Sequence, residues 1–512
     1  MKHDIKQPVN PYLPSYEYIP DGEPYVFADR VYIYGSHDKY NGDVYCELDY
    51  VCWSAPVNDL SDWRYEGVIY KKSQDPANGD LLGNLYAPDV TVGPDGRYYL
   101  YYALSSLSRI SVAVCDEPAG GYEFLGYVHY EDGIYLGDKE GDEQQFDPGV
   151  LTEGDRTYLY TGFCEAGNPN KHGAMVTVLD KDMLTIVREP EFIAPSEYYS
   201  KGTGFEGHEF FEAPSIRKKG DTYYFIYSSV VNHELCYATA GSPTDKFTYG
   251  GVIISNADIG IDTYKQADFP SVPYANNHGS MVEIEGEWYI FYHRHTNGHN
   301  YSRQGCFERI TIEKDGSIRQ AEITSCTGTP LEGKGVFPAY IACNMYLERD
   351  TLRDDLNVYD LRKDRYMLIP WIGWISDDFP RIMQDHSDIT PDAYGHIAHP
   401  FDIDGTSGLD KDIHSIVANI RDTAVIGYKY FDIKGLKEIA IRTKGYGRGQ
   451  VEIYAAPMDK PMERILIGAV KVTSVNGYVK GKTCVNIEDG VYALYFKFRG
   501  ESNLSILDFE LI

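Results

Sequence analysis

The segment Gly96-Arg-Tyr-Tyr-Leu-Tyr101 decides the fold, because its pattern of a polar turn followed by alternating aromatic and aliphatic residues occurs five times. The other copies are Asp29-Arg-Val-Tyr-Ile-Tyr34, Asp155-Arg-Thr-Tyr-Leu-Tyr160, Asp221-Thr-Tyr-Tyr-Phe-Ile226 and Gly286-Glu-Trp-Tyr-Ile-Phe291. The spacings of 67, 59, 66 and 65 residues separate the aligned tyrosines Tyr32, Tyr99, Tyr158, Tyr224 and Tyr289. Runs of this kind, bounded by Gly and Asp, are typical of strands entered from tight turns. Five all-β units at a nearly constant period predict a five-bladed β-propeller.

One ionisable residue lies 10 to 12 residues before each aligned tyrosine: Asp21, Asp89, Asp147, Glu212 and His278. Each precedes a short strand that leads into the aromatic strand. The first strand of each propeller blade lines the axis, so we expect these five side chains to form a ring at one end of it. A single Asp beside Pro or Gly is an ordinary turn former. Five in register indicate a functional site, because neighbouring carboxylates push their pKa values apart.

A carboxylate ring of this kind suits the cleavage of an acetal. One carboxyl group protonates the departing oxygen, and another delivers or activates the nucleophile. A separation of about 6.5–9.5 Å leaves room for a water molecule and inverts the anomeric centre. Carboxylates on different blades are expected to fall in that longer range, and a third carboxylate keeps the acid protonated near neutral pH.

Five motifs carry a resemblance to glycoside hydrolase family 43 over roughly residues 10 to 325: Asp21-Gly-Glu-Pro-Tyr-Val-Phe, Ala87-Pro-Asp-Val, Phe146-Asp-Pro-Gly-Val, Phe211-Glu-Ala-Pro-Ser and Asn277-His-Gly-Ser. The resemblance implies inversion, with Asp21 as general base, Glu212 as general acid and Asp147 as the carboxylate that tunes that acid. It also implies a sugar contact for Arg303 and a supporting place near the pocket for Asp89. His278 matches the family's axial histidine, which implies a structural calcium ion there.

Two motifs depart from the family pattern. The usual Asp-Pro is Asp21-Gly22 here, so the base is placed by alignment, and the usual tryptophan before the second motif is Tyr86, at the edge of the substrate pocket. The predicted substrates are hemicellulose oligosaccharides, from which the enzyme releases terminal pentose. The resemblance implies an α-L-arabinofuranosidase first and a β-xylosidase or bifunctional enzyme second. An endo-arabinanase, a fructoside-acting relative and a non-catalytic glycan-binding propeller are the alternatives; Ala213 after the acid and the three converging carboxylates argue against the last two.

The chain is predicted to divide into a propeller, residues 1–325, and a linker with a β-sandwich, residues 326–512. The segments Gly490–Gly500 and Ile506–Ile512 have the pattern of an edge-to-core strand pair typical of sandwiches. Together with Gly427–Asp432 they resemble a family 6 carbohydrate-binding module, with a jelly-roll fold. Trp371 and Trp374 are interpreted as packing residues, with sugar stacking as the alternative.

The amino-acid composition limits the classes of binding partner and the cellular location that we expect. The net charge of −30 argues against binding to nucleic acid and anionic membranes. Nine scattered cysteines without a C-x-x-C pair predict free thiols. The first residues lack the apolar core of a signal peptide, which predicts a cytoplasmic location, or a secreted one if a leader has been removed. His293 and His295 share a strand face, but no carboxylate or cysteine completes a metal set, so a substrate contact or a core role is favoured.

Overall fold

The computed structural model describes residues 5–348, 379–385 and 414–512, and their regular structure is strands with three short 3-10 helices. Trp371 and Trp374 lie outside the described residues. Four sheets of four antiparallel strands and one of three follow one another along the chain. Their strands are β1 (Glu23–Phe27), β2 (Arg30–Tyr34), β3 (Tyr50–Pro56), β4 (Arg64–Tyr70); β5 (Asp89–Val92), β6 (Tyr98–Ala103), β7 (Ile110–Cys115), β8 (Glu123–Tyr127); β9 (Gly149–Glu153), β10 (Arg156–Thr161), β11 (Gly173–Leu179), β12 (Ile186–Pro195); β13 (Phe210–Lys219), β14 (Thr222–Ser229), β15 (Glu234–Ala240), β16 (Thr248–Ser255); and β17 (Met281–Ile284), β18 (Glu287–Arg294), β19 (Gln304–Ile310). The five aligned tyrosines fall on the second strand of each sheet, as predicted.

Separate apolar cores between successive sheets show that these sheets are the blades of a closed ring. Leu100 belongs to the core between blades 1 and 2, Leu159 to the core between blades 2 and 3, and Phe225 to the core between blades 3 and 4. Tyr224 of blade 4 packs with Ile290 of blade 5. A further cluster joins blade 5 back to blade 1, and it contains Ile33, Trp53, Val282, Phe291 and Phe307. The protein is therefore all-β, with a five-bladed propeller.

Segments from the N-terminal end of the propeller close the ring. The amide of Tyr12 donates to the carbonyl of Gly305 on β19, and the Asn10 side chain bonds both the amide and the carbonyl of Phe307. A single bridge also joins Gly22 to Gly279, directly before the first strands of blades 1 and 5. The fifth blade, which has three strands of its own, is thus completed by residues that precede the first.

A nine-stranded sheet follows the propeller. Its strands are β20 (Leu331–Glu332), β21 (Gly335–Pro338), β22 (Asn344–Leu347), β23 (Arg381–Asp385), β24 (His414–Ile420), β25 (Ala424–Ile433), β26 (Glu438–Pro457), β27 (Ile465–Cys484) and β28 (Gly490–Leu511). β26 follows one edge of β28 for most of its length, while β25, β24 and β21 share the other edge. Phe509 contacts Phe337, Tyr428, Phe431 and Phe496 in the core.

The strand pair expected at Gly490–Gly500 and Ile506–Ile512 is one continuous strand, so this prediction was wrong. Gly500, the last residue of the first predicted segment, lies inside β28 opposite Gly449, where a Cβ atom would stand 2.1 Å from the carbonyl oxygen of Arg448. A glycine is therefore required for close approach of the two backbones and not for a turn. The jelly-roll arrangement and the resemblance to a carbohydrate-binding module remain predictions.

The two parts of the chain share one apolar core and a buried ion cluster. Tyr224, Ile290 and Ile310 of the propeller belong to the same cluster as Val425, Phe431 and Phe509 of the second sheet. Lys429 on β25 is fully buried, and its Nζ lies 3.1 Å from Asp258 and 2.7 Å from Glu322. The two sheet systems are thus tightly packed, while the exact boundary at residue 325 remains a prediction. All nine cysteines are free, as predicted, and the described residues contain no helix long and apolar enough to span a membrane.

Candidate active site

Asp21, Asp147 and Glu212 lie at the same end of the propeller axis, where the first strands of blades 1, 3 and 4 begin. Asp21 and Asp147 have positive φ angles of 57° and 44°, and Ala213, directly after Glu212, has a φ of 62°. A bulge in β13 at Glu212 shifts the register against β14. Bulges re-aim side chains, and non-glycine residues in the left-handed region cluster at functional sites because the surrounding structure must hold them there. The backbone is strained at each of these three places.

Asp21 is a buried carboxylate that Arg303 holds in its ionised form. Burial disfavours the charge, but Arg303, followed by His293 and His278, together outweigh it and place the pKa of Asp21 well below its usual range. Nη1 of Arg303 donates to Oδ1 of Asp21 at 3.0 Å. His293 contributes a different contact: its Nε2 donates to the carbonyl of Asn276, which leaves Nδ1 to accept the amide of Asp21. Asp21 is therefore negatively charged across the neutral range.

Asp147 and Glu212 have the opposite character. Burial, followed by the charge of Asp21, raises the pKa of Glu212 to about 8, against the opposing effect of Arg303. Burial, followed by the charges of Glu212 and Asp21, raises the pKa of Asp147 well above its usual range. Two buried carboxyl groups that repel each other titrate as a pair. The pair keeps a proton at neutral pH, beside a carboxylate that has none.

Four half-buried aromatic rings form a continuous arc beside these carboxyl groups. The centroid distances are 5.5 Å from Tyr86 to Phe146, 5.2 Å from Phe146 to Phe163 and 5.3 Å from Phe163 to Phe211. Phe146 and Phe211 directly precede Asp147 and Glu212, so the arc extends along the site from blade 2 to blade 4. Aromatic rings offer an apolar face of the kind that packs against the C–H face of a sugar. Tyr86 keeps an aromatic ring where the family usually has tryptophan.

His278 also reaches the ring, where burial lowers its pKa to about 4. Its Nδ1 is 3.7 Å from Oδ2 of Asp147 and 4.0 Å from Oδ1 of Asp21, which is too long for a direct hydrogen bond. A neutral imidazole can bind a metal ion, but calcium takes six to eight oxygen ligands. His278 thus fits a calcium site only as one ligand among waters. His208, Glu234 and Cys236 form the one His/Cys/Asp/Glu group with metal-binding spacing in the described ranges, and it does not include His278.

Asp89 does not join the other three carboxyl groups. It is fully buried, accepts from the Tyr25 hydroxyl and the Val150 amide at 2.7 Å each, and presents no free oxygen to a sugar. Its position fits the supporting place that the resemblance implied, and it argues against a direct substrate contact. Asp89 belongs to an axial cluster with Glu23 and Arg217, whose guanidinium is 2.7 Å from Glu23 and lies over the Tyr25 ring.

Three residues that the sequence did not single out help to build the site. Asp38 accepts three hydrogen bonds from Arg303, and Glu23 pairs with Arg217 on the opposite side of the axis. The sequence signal for Glu23 was present, because it lies on the predicted axial strand two residues after Asp21. Asp38 lies in an irregular segment after β2, where no repeat marks it.

An ionised carboxylate and a protonated carboxyl pair, beside an arc of aromatic rings, are the groups that a glycoside hydrolase needs. The model of glycosyl hydrolases family 43 matches residues 20–318. The chain belongs to this family.

Some relatives named for their activity match the whole chain, and others match the propeller alone. A xylosidase/arabinosidase of Thermoclostridium stercorarium is 55% identical over 508 residues, which is 99% of each chain. A xylosidase/arabinosidase of Bacteroides ovatus is 30% identical over 314 residues, covering 55% of this chain and 87% of that protein. Among solved structures, a family 43 arabinoxylan arabinofuranohydrolase from Bacillus subtilis in complex with cellotetraose aligns over 100% of this chain and 99% of its own, with 20% identity and a TM-score of 0.49.

Proposed function

We propose that this glycoside hydrolase releases terminal pentose, first of all α-L-arabinofuranose, from oligosaccharides derived from arabinoxylan and xylan, with inversion. A β-xylosidase or bifunctional activity is the second candidate, supported by the 55% identical relative named xylosidase/arabinosidase. The observation that carries the proposal is the contrast in charge between Asp21, ionised beside Arg303, and the protonated pair of Asp147 and Glu212.

These residues divide the work of hydrolysis between them. Asp21 takes a proton from a water molecule as the water oxygen forms its bond to the anomeric carbon. The bond from that carbon to the glycosidic oxygen breaks, and Glu212 gives its proton to the departing oxygen. Asp147 keeps the proton on Glu212 until that moment by repelling the charge that ionisation would create. Arg303 contacts the sugar and holds Asp21, and the aromatic arc stacks against the substrate.

A screen of nitrophenyl glycosides and arabinoxylan oligosaccharides, with the first product followed by proton NMR, tests this proposal. We expect hydrolysis of pentosides and first appearance of the inverted anomer. The retained anomer as first product would contradict the division of roles. Glycan binding without turnover on every substrate would favour a non-catalytic propeller, the alternative from another class.

We also propose that the axis holds a structural calcium ion, with neutral His278 as its single protein ligand and water molecules as the others. Support comes from the low pKa of His278, which keeps its lone pair available. Metal analysis of the purified protein should find about one calcium per chain, and EDTA should lower its melting temperature. A protein without stoichiometric metal that is indifferent to EDTA would contradict the proposal. A cytoplasmic location stays a prediction.

A further inference from the structure

Asp38 and Arg303 form a fully buried ion pair with a defined two-pronged geometry. Nε of Arg303 donates to Oδ2 of Asp38 at 2.8 Å, and Nη2 donates to Oδ1 at 3.0 Å. The backbone amide of Arg303 adds a third bond to Oδ2 at 3.1 Å. Both side chains are buried. Two parallel bonds between a guanidinium and a carboxylate fix the plane of the guanidinium as well as its position.

This pair joins the first blade to the last. Asp38 follows β2 in blade 1, and Arg303 directly precedes β19 in blade 5. The amide of Cys46 donates to Oδ1 of Asp38 at 3.0 Å, so the carboxylate is itself held in place. The ring of Tyr45 lies 4.9 Å from the guanidinium carbon and covers it. Arg303 is therefore held by blade 1, although its own backbone belongs to blade 5.

The partners of the Arg303 nitrogens show what this ion pair, called here the Asp38–Arg303 clamp, achieves. With Nε and Nη2 directed to Asp38, Nη1 is the nitrogen that reaches Asp21, at 3.0 Å. The described contacts of the Asp21 carboxylate with Arg303, His293 and His278 all involve Oδ1. An unclamped guanidinium would be able to turn and bind both oxygens of Asp21, as arginine does with free carboxylates. The clamp leaves Oδ2 of Asp21 available to a water molecule.

We propose that Asp38 is a positioning residue for hydrolysis: it fixes Arg303 so that a single N–H group meets Asp21 and the base keeps one oxygen for water. Asp38 acts through Arg303 and touches no substrate. This inference rests on the proposed function, because it assigns Asp21 the base role. It assigns to Asp38 a part in turnover that is separate from its part in closing the ring of blades.

A double-mutant cycle separates positioning from simple structural support. We expect Asp38→Asn to lower kcat/KM by about 10–100-fold, mostly through kcat, because small misplacements of catalytic groups are costly. In an Arg303→Met background the same Asp38→Asn change should cost less than about threefold, since nothing remains to be positioned. Equal losses in both backgrounds would overturn the proposal. Glu66→Gln, which removes another blade 1 carboxylate bonded to Ser54 and Arg64, serves as the control and should leave kcat unchanged.

A crystal structure of the Asp38→Asn variant tests the same inference without any substrate. We expect the guanidinium of Arg303 to turn toward Asp21 or away from it, and the single contact between Nη1 and Oδ1 to change. An Arg303 side chain that keeps its place would overturn the proposal, whatever the activity. If the wild-type protein hydrolyses no pentoside, the proposed function fails while this structural comparison still decides the role of Asp38.

Discussion

Replacing Asp147 by asparagine removes one member of a buried carboxyl pair and keeps the shape of the side chain. In the wild-type protein the last proton of the pair leaves only when two negative charges can coexist beside Asp21. In the Asp147→Asn variant, Glu212 ionises next to a neutral amide. Glu212 should therefore lose its proton at a lower pH in the variant. The alkaline limb of kcat/KM should move toward acid, because that limb reports the ionisation of groups in the free enzyme.

The size of this movement follows from what remains in the variant. Burial and the charge of Asp21, which raise the pKa of Glu212 from 4.5 to about 8, are still present. Loss of one neighbouring carboxylate in a buried pair is worth about one to two pH units, or about 1.4–2.8 kcal/mol. The limb should thus move toward acid by about one to two pH units and lie near pH 8 in the variant. At pH 8 about half of Glu212 is then protonated, whereas in the wild-type protein the pair still holds nearly all of its last proton.

The measurement is kcat/KM between pH 4.5 and 10.5 on an oligosaccharide whose leaving group needs protonation. Asp89→Asn is the matched control: it removes a buried axial aspartate whose pKa, unlike that of Asp147, is not shifted by Glu212, and it should leave the limb in place. An unmoved limb in Asp147→Asn, or a move toward alkaline pH, would refute the reasoning. It would reduce Asp147 to a residue that only shapes the backbone before β9.

Three further variants test the remaining assignments. Asp21→Asn should lower turnover of every substrate by about 10²–10⁴-fold, and a variant retaining a tenth of the wild-type rate would remove the base role. Glu212→Ala should impair oligosaccharides far more than nitrophenyl glycosides, whose leaving groups barely need a proton; equal losses would argue against the acid role. Lys429→Met should cost about 3–5 kcal/mol, because it leaves the buried Asp258 and the partly buried Glu322 without their cation. Thermal melting measures that cost, whereas Lys434→Met, which breaks an exposed pair with Asp432, should change little.

The sequence predicted the propeller because each blade repeats one local pattern. The five aligned tyrosines mark strands whose successive side chains point into the cores on either side of a blade. The spacing of the sequence pattern is therefore the spacing of the blades. The ring positions of Asp21, Asp147, Glu212 and His278 followed from the same register. Asp89, which shares that register, opens β5 and contacts the Tyr25 hydroxyl and the Val150 amide within the axial cluster instead. Register alone places a residue on a strand and does not determine which neighbours its side chain meets.

The interactions that the sequence did not predict join distant, unrepeated segments. Asp38 and Arg303 are 265 residues apart, and Glu23 and Arg217 are 194 apart. Neither pair lies at equivalent positions in two blades, so no periodic signal connects its members. The strand break expected after Gly500 is absent for a related reason. In a sequence, a glycine that permits close approach of two strands looks the same as a glycine that ends a strand.

The axial cluster determines from which end of the propeller a sugar reaches the catalytic carboxyl groups. Glu23 from blade 1, Asp89 from blade 2 and Arg217 from blade 4 form a buried cluster on the axis, and Glu23 and Arg217 lie two and five residues after Asp21 and Glu212. The cluster closes the axis below the carboxyl groups, so a sugar that binds among them enters and leaves from the same end. If the enzyme releases terminal pentose as proposed, free pentose competes with incoming oligosaccharides for this site and is expected to be a competitive inhibitor of hydrolysis.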